Sequence, residues 1–442
     1  MDTDVIVVGA GAAGLAAALG LAERSLHVIA LESRDRVGGR VMWQSVGSVD
    51  VPAELGAEFI HGAAPETSAL LREAGLTKVE TGGTSWMWSS TGDVRAVGDD
   101  FGYGDIFERV RSLTQDESVD AFLRRFEHDP HMREQAQNAR TFVEGFEAAD
   151  PALASARSIA DEIRSGVDST TSRPVGSYAP LFEHLAARCA RAGVDLRLGT
   201  AVERIVWEPG AVTIETRTGN GNAATLGARC VIVTVPVGVL RPRGDALGLS
   251  FAPALPVEKQ AALRGLEMGH AVRVTLAFRT PFWEHVANGR YRDAGFFRCE
   301  GGTFNVFWTQ VPMRSRTIVA WAGGPRATAL AGTAQERIDR ACDEFGAMLG
   351  QRDLARREFE AGVTHDWSAD PFACGAYSYV AAGAGAARKV LGDSVDETLF
   401  FAGEATSTNG QGGTVSGAFE TGMRAAREAA RALAGAPSRI VP

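Results

Sequence analysis

Val5-Ile6-Val7-Val8-Gly9-Ala10-Gly11-Ala12-Ala13-Gly14 stands at the head of the sequence, and Glu32 follows 18 residues after Gly14. The four β-branched residues suit a strand buried on both faces of a parallel sheet. Leu15–Glu23, rich in alanine and leucine, predicts a helix. His27–Leu31 reads as a second strand, closed by Glu32. A strand, a G-x-G-x-x-G turn, a helix and a second strand ending in an acid form a dinucleotide-binding unit. Gly9 permits the tight turn, Gly11 lets the backbone approach a pyrophosphate, and Gly14 lets helix and strand pack closely. Ala13 lies with them in the first helical turn, whose free N–H groups and positive dipole end suit phosphates. The Glu32 carboxylate accepts hydrogen bonds from both ribose hydroxyls. Its charge repels a 2′-phosphate, which disfavours NADP.

The rest of the composition narrows the class. The chain has 442 residues, 45% of them hydrophobic and 22% charged, as in ordinary globular proteins. With 54 acidic and 45 basic residues, the formal charge is −9, and no basic run offers a nucleic-acid footprint. The five cysteines are far apart and include no Cys-x-x-Cys pair, so neither a disulfide framework nor a metal site is expected. No apolar stretch approaches the length of a membrane span. The N-terminal segment lacks the basic and apolar regions of a signal peptide. No tail anchor is expected at the C-terminal Ala436-Pro437-Ser438-Arg439-Ile440-Val441-Pro442. A soluble cytoplasmic protein, monomer or homodimer, is expected. Lysines occur only at positions 78, 259 and 389, which limits where a catalytic lysine could sit.

Downstream, helices are expected at Ser118–Phe126, Glu144–Arg164, Ala179–Ala192, Glu336–Leu349 and Gly417–Leu433. Strands are expected at Asp195–Leu198, Ala201–Trp207, Val212–Arg217, Val231–Val235, Arg273–Phe278, Thr317–Ala322 and from Leu399 to Gly403-Glu404. Further motifs fall in a fixed order. Glu32-Ser33-Arg34-Asp35-Arg36-Val37-Gly38-Gly39-Arg40 continues the second strand. Glu54-Leu55-Gly56-Ala57-Glu58-Phe59-Ile60-His61-Gly62 comes next. Trp367, Gly375-Ala376-Tyr377-Ser378-Tyr379, Phe401-Ala402-Gly403-Glu404 and Gly413-Thr414-Val415-Ser416-Gly417-Ala418 complete the series.

This ordered set resembles the flavin-containing amine oxidase family, over nearly the whole chain. The resemblance implies an α/β, two-domain flavoprotein: a Rossmann-type FAD-binding domain interleaved with a mixed-sheet and helical substrate domain. The FAD domain would comprise residues 1–75, 176–245 and 396–442. The substrate domain would comprise 76–175 and 246–395. It implies FAD contacts at Glu32 (adenosine ribose, with Ser33 beside it), at Arg34, Gly39 and Arg40 (adenosine and diphosphate path) and at Val202 (adenine). Gly56 and Ala57, followed by Glu58, would run along the isoalloxazine ring. Glu404, after Gly403, would point to ribityl or diphosphate oxygens, and Val415 would face the flavin edge. Tyr377 would be one wall of a substrate cage, with Thr414 opposite it. His61 would stand beside the amine path and Trp367 beside the flavin.

Two departures from the family pattern bear on chemistry. Ala376 stands where some members attach FAD to cysteine, so non-covalent FAD is expected. Arg273 stands where the family has a lysine that holds a water near flavin N5. It would hold that water, pair with a substrate carboxylate, or turn away. The implied reaction is oxidation of a small-molecule amine by hydride transfer to the flavin, with O2 as electron acceptor. The alternatives are an FAD-dependent desaturase or protoporphyrinogen-type oxidase, and a flavoprotein that binds a ligand without turnover.

Overall fold

A computed structural model describes residues 1–89, 91–98, 102–241 and 248–435. The expected domain boundary at 245/246 and the segment after residue 435 lie outside the described residues.

Strand Thr3–Val8 is central to the first sheet. It runs parallel to Val28–Leu31 on one side and Ala223–Val233 on the other. Asp195–Arg197 extends the parallel set beyond Val28–Leu31, and Leu399–Phe401 joins the C-terminal part of Ala223–Val233. The first half of Ala223–Val233 pairs instead with an antiparallel meander, Ala211–Thr218 and Thr200–Glu208, which Ser250–Ala252 edges. Both faces of the parallel part are covered, so Val5, Ile6 and Val7 are all fully buried rather than alternating. Helices Ala12–Ala22, Ala179–Arg191 and Val415–Gly435 pack on one face. The last helix lies directly on the first because Gly422 has no side chain. A Cβ there would stand 2.2 Å from the Ala13 carbonyl oxygen.

The second sheet has seven strands, in the order Phe359–His365, Ala271–Phe278, Thr317–Gly323, Val306–Trp308, Ala294–Cys299, Thr84–Trp88 and Val94–Val97. Its pairs are antiparallel except Ala294–Cys299 with Thr84–Trp88. Helix Ala334–Met348 covers one face through Ile338, Ala341 and Phe345. It starts two residues before the expected Glu336, because Thr333 and Glu336 form a reciprocal capping box.

The helical insert, centred on Phe107, Phe122 and Phe142, has its own core. Here one expectation fails. Glu144–Arg164 is not one helix but the end of Arg133–Gly145, an irregular crossing, and Ala156–Arg164. Ala148 adopts a left-handed conformation (φ 49°), Pro151 lacks an N–H, and Ser155 caps the new helix by accepting from Ser158 N–H. Helix Val119–Leu123 with its tighter turn Arg124–Phe126 matches the expected Ser118–Phe126.

Candidate active site

The two sheets face a common cavity of about 1450 Å³. A pocket for one small ligand holds roughly 300–1,000 Å³, so this one has room for a dinucleotide and a second molecule. It starts at the C-terminal ends of Thr3–Val8 and Val28–Leu31 and ends among aromatic side chains of the second sheet and the insert. Every residue singled out from the sequence lines it except Gly14. Gly14 stands behind the turn, where a Cβ would lie 1.8 Å from the Gly9 carbonyl oxygen. That is the packing role expected of it.

At the dinucleotide end Glu32 is buried and lines the cavity. It accepts from the Ala10 N–H (2.8 Å), the Arg34 N–H (2.9 Å) and the Ser33 hydroxyl (3.2 Å). These bonds fix the glycine turn against the second strand. Gly11 and Gly39 present bare backbone to each other: a Cβ on Gly39 would be 3.5 Å from the Gly11 Cα. Adjacent glycine backbones, a helix N-terminus and a buried carboxylate on the cavity wall suit a flavin dinucleotide. Val202 lines the same end, on a strand that bulges between Val202 and Arg204.

The charged side chains expected to follow the cofactor are largely committed to protein partners. Arg34 makes a two-point ion pair with Asp370 (2.8 and 3.0 Å), which also meets His365 (2.9 Å). Burial would raise the Asp370 pKa, but the His365 and Arg34 contacts hold it well below the ordinary range. Arg40 bonds Glu404 (2.8 Å) and the Ala376 carbonyl (2.9 Å). Glu404 also takes the Ser378 hydroxyl (2.7 Å) and the Gly413 N–H (3.2 Å). Arg40 and Glu404, as a pair, therefore tie the chain after Val28–Leu31 and after Leu399–Phe401 to the segment Ala376–Ser378 beside the cavity.

Trp367 is buried, donates to the Leu55 carbonyl (2.8 Å) and packs on Gly56, where a Cβ would stand 3.1 Å from its ring. Ala57 lines the wall beside it. Arg273 does not turn away. It is buried, donates to the Gly56 carbonyl (3.1 Å) and pairs with Glu58 (2.5 Å). Glu58, expected as a cofactor contact, lines the cavity and is the anion shared by Arg273 and Arg173 (2.8 Å), with donors from Trp308 (3.2 Å) and Gln310 (3.3 Å). Burial would push its pKa up, but the arginines and these two donors hold it below the ordinary range.

The far end is aromatic. The His61 ring meets Phe146 edge-on at 4.8 Å, and Phe59 lies 5.4 Å from Trp308. Tyr377 donates its hydroxyl to the Phe146 carbonyl (2.7 Å), and its ring covers Gly413, next to Thr414. Thr414 accepts from the Gly417 N–H (3.0 Å), so it also caps the helix that begins at Val415. Enclosure pushes the His61 imidazole down to about 4, so it is neutral at neutral pH. The sign follows: His61 contributes stability present above its unfolded pKa near 6.5 and lost as pH falls toward 4. Denaturant unfolding of the wild type should therefore weaken between those values more steeply than that of His61→Phe. Parallel profiles would show that His61 protonates freely in the folded chain.

Sequence reasoning missed Arg173, Glu147, Glu162 and Arg388. Glu147 and Glu162 are hydrogen-bonded to each other, and Arg388 reaches Glu162 at 3.2 Å. Burial and the neighbouring Glu162 push Glu147 well above the carboxylate range. Arg173 lies on a short strand, Glu147 on irregular chain, and Glu162 and Arg388 on separate helices, without a motif that marks them. Among the described residues no cluster suits a metal, and no helix is long and apolar enough to cross a membrane.

A nucleotide turn and an aromatic chamber opening into one cavity define a flavoprotein oxidoreductase. The family model described as flavin containing amine oxidoreductase matches residues 12–98 and 86–430, and the chain belongs to that family. It is a flavin-dependent amine oxidoreductase by that membership. Polyamine oxidase 3 of Oryza sativa subsp. japonica is 29% identical over 96% of this chain and 88% of its own. Wild-type putrescine oxidase bound to putrescine shares the fold, with a TM-score of 0.79 and 22% identity over 98% of this chain and 99% of that one. Cyclohexylamine oxidase from Brevibacterium oxydans IH-35A does so with a TM-score of 0.77 and 23% identity over the same shares.

Proposed function

We propose that the chain is an FAD-dependent oxidase of a small-molecule amine, with FAD held non-covalently and O2 as electron acceptor. The observation that carries this reading is the single cavity joining the glycine turn and Glu32 to the Tyr377–Thr414–His61 chamber. In this reading residues 1–75, 176–245 and 396–442 form the FAD domain, and 76–175 and 246–395 the substrate domain. Gly9, Gly11, Ala13, Glu32, Gly39, Val202, Gly56, Ala57, Gly403 and Val415 would hold FAD. Bound there, FAD would supply a hydride acceptor for the carbon next to nitrogen and a route for the two electrons to O2, with hydrogen peroxide as product.

The protein's part is position, dryness and charge. Tyr377, its hydroxyl tied to the insert, offers the amine a fixed aromatic face. His61, held neutral, does not repel an arriving ammonium. Arg273 adds positive charge beside Gly56, damped by Glu58. The oxidised product, an imine, then takes up water and splits into a carbonyl compound and ammonia or an amine.

Ala376 lines the cavity at the family's attachment position and has no side-chain nucleophile. Acid precipitation should therefore release intact FAD into the supernatant, identified by chromatography and mass. Flavin retained in the washed pellet would contradict non-covalent binding, and FMN in the supernatant would contradict FAD.

A further inference from the structure

Asn305 is 2% exposed and stands on the cavity wall, one residue before strand Val306–Trp308. Its backbone carbonyl accepts from the Cys299 N–H (2.9 Å). Its side-chain amide makes no hydrogen bond to any described residue, and Oδ1 is enclosed without a partner among them. Buried amides are nearly always bonded, because an enclosed and unpaired one forfeits its bonds to water. On the wall of a substrate cavity, such a group marks a place that a ligand completes.

The neighbouring chain sets where on the ligand this contact falls. Arg326 donates to the Gly302 carbonyl (2.9 Å), three residues before Asn305, and pairs with Glu144 (3.3 Å). Val306 lies opposite Trp321 in the antiparallel pair. Glu144, Trp321 and Arg326 line the cavity with Asn305. Strand Val306–Trp308 then leads back to Trp308, whose indole N–H meets Glu58, the partner of Arg273 beside Gly56. At roughly 3.3 Å per residue, Asn305 stands about 10 Å from Trp308 along the chain. Its amide therefore meets the tail of a substrate rather than the reacting amine.

A terminal amide carries one acceptor oxygen, two donor hydrogens and no charge. Turned by half a rotation about its last bond, it presents either end to the cavity. Its complement is an uncharged group that also donates and accepts, an amide or a hydroxyl. An alkyl tail would leave the amide unpaired, and an ammonium could use its oxygen alone. Resting on the amine-oxidase reading above, we propose that Asn305 is a specificity-determining residue that hydrogen-bonds an amide or hydroxyl at the tail of the amine substrate.

The test compares two tails of one shape: 6-aminohexanamide, and 6-methylheptylamine, in which methyl groups replace the amide oxygen and nitrogen. Anaerobic stopped-flow reduction of the holoenzyme gives a rate constant over dissociation constant for each. The amide-to-alkyl ratio should fall at least about tenfold from wild type to Asn305→Leu, the loss expected for one or two hydrogen bonds in an enclosed site. Asn305→Ala should show the same fall and serves if the leucine variant does not fold. Calorimetry with 6-amino-6-methylheptanamide and 2,7-dimethyloctan-2-amine, which lack a hydrogen on the carbon next to nitrogen and bind without turnover, should give the same loss. Asn305→Leu should melt at or above the wild-type temperature, since the side chain has no protein partner to lose. An unchanged ratio in both variants would overturn the proposal and leave amine oxidation standing, and a lower melt beside it would mark Asn305 as structural. Reduction by no amine would overturn the amine-oxidase reading instead, and the calorimetric ratio would still decide the part played by Asn305.

Discussion

Glu58→Ala is expected to destabilise the folded protein by about 3–5 kcal/mol, the usual cost of leaving buried charge unpaired. Glu58 is the shared anion of Arg173 and Arg273, which are 2% and 5% exposed. Both guanidinium Nε–H groups already lack a hydrogen-bond partner, so the cluster has no spare acceptors. Trp308 and Gln310 would lose an acceptor as well. Arg273→Met should cost less, because Glu58 keeps Arg173 and the two neutral donors. Denaturant unfolding of both variants, at a pH where the wild type is stable, decides the order. Equal stability of Glu58→Ala and wild type would mean that the arginines find water or another anion. The three residues would then not form a closed ionic wall beside the cavity.

Gly14→Ala is expected to abolish flavin binding and to unfold the nucleotide turn locally. The added methyl would stand 1.8 Å from the Gly9 carbonyl oxygen and 2.8 Å from its carbon. These are backbone atoms, and Gly9 itself sits at φ 104° with Thr234 Oγ1 2.7 Å from its own Cβ direction. Neither side can yield by a rotamer change, so helix Ala12–Ala22 must tilt away from the strand. Overpacking of this kind costs about 1–3 kcal/mol or more. It also spreads the N–H groups that face the cavity. Gly20→Ala on the same helix is the control, since its Cβ would meet the Ala426 methyl at 3.3 Å, which a small shift relieves. The ratio of visible to ultraviolet absorbance after purification, with a thermal melt, measures both effects. A Gly14→Ala protein that retains its flavin and melts with the wild type would show that the turn has room that its geometry denies.

What was legible in the sequence was local. The strand, turn and helix over residues 3–22 are set by adjacent β-branched, glycine and alanine residues, and the structure differs there by a few residues at the ends. The last helix was equally clear, because an alanine-rich amphipathic segment needs no distant partner to be recognised. By contrast, Thr84–Trp88 and Ala294–Cys299 pair across about 200 residues of chain. Each is short, with a mixed burial pattern that no periodicity distinguishes from loop. The break at Ala148–Ser155 was masked by helix-forming residues on both sides of Pro151. At the site, motifs placed the side chains on the cavity but not their partners. The pairing of Glu58 with Arg173 joins a loop to a strand more than 100 residues away. The pairing of Arg34 with Asp370 spans 336 positions. Such pairs decide which charges are free to act, and they follow from packing rather than from spacing.

Anaerobic mixing of the purified yellow protein with a panel of amines, followed by admission of O2, tests the central claim. The account predicts that at least one amine bleaches the visible flavin band, that the colour returns with O2, and that hydrogen peroxide appears in equal amount to the carbonyl product. A flavin that stays oxidised with every amine, or that is bleached solely by a substrate without nitrogen, would contradict it.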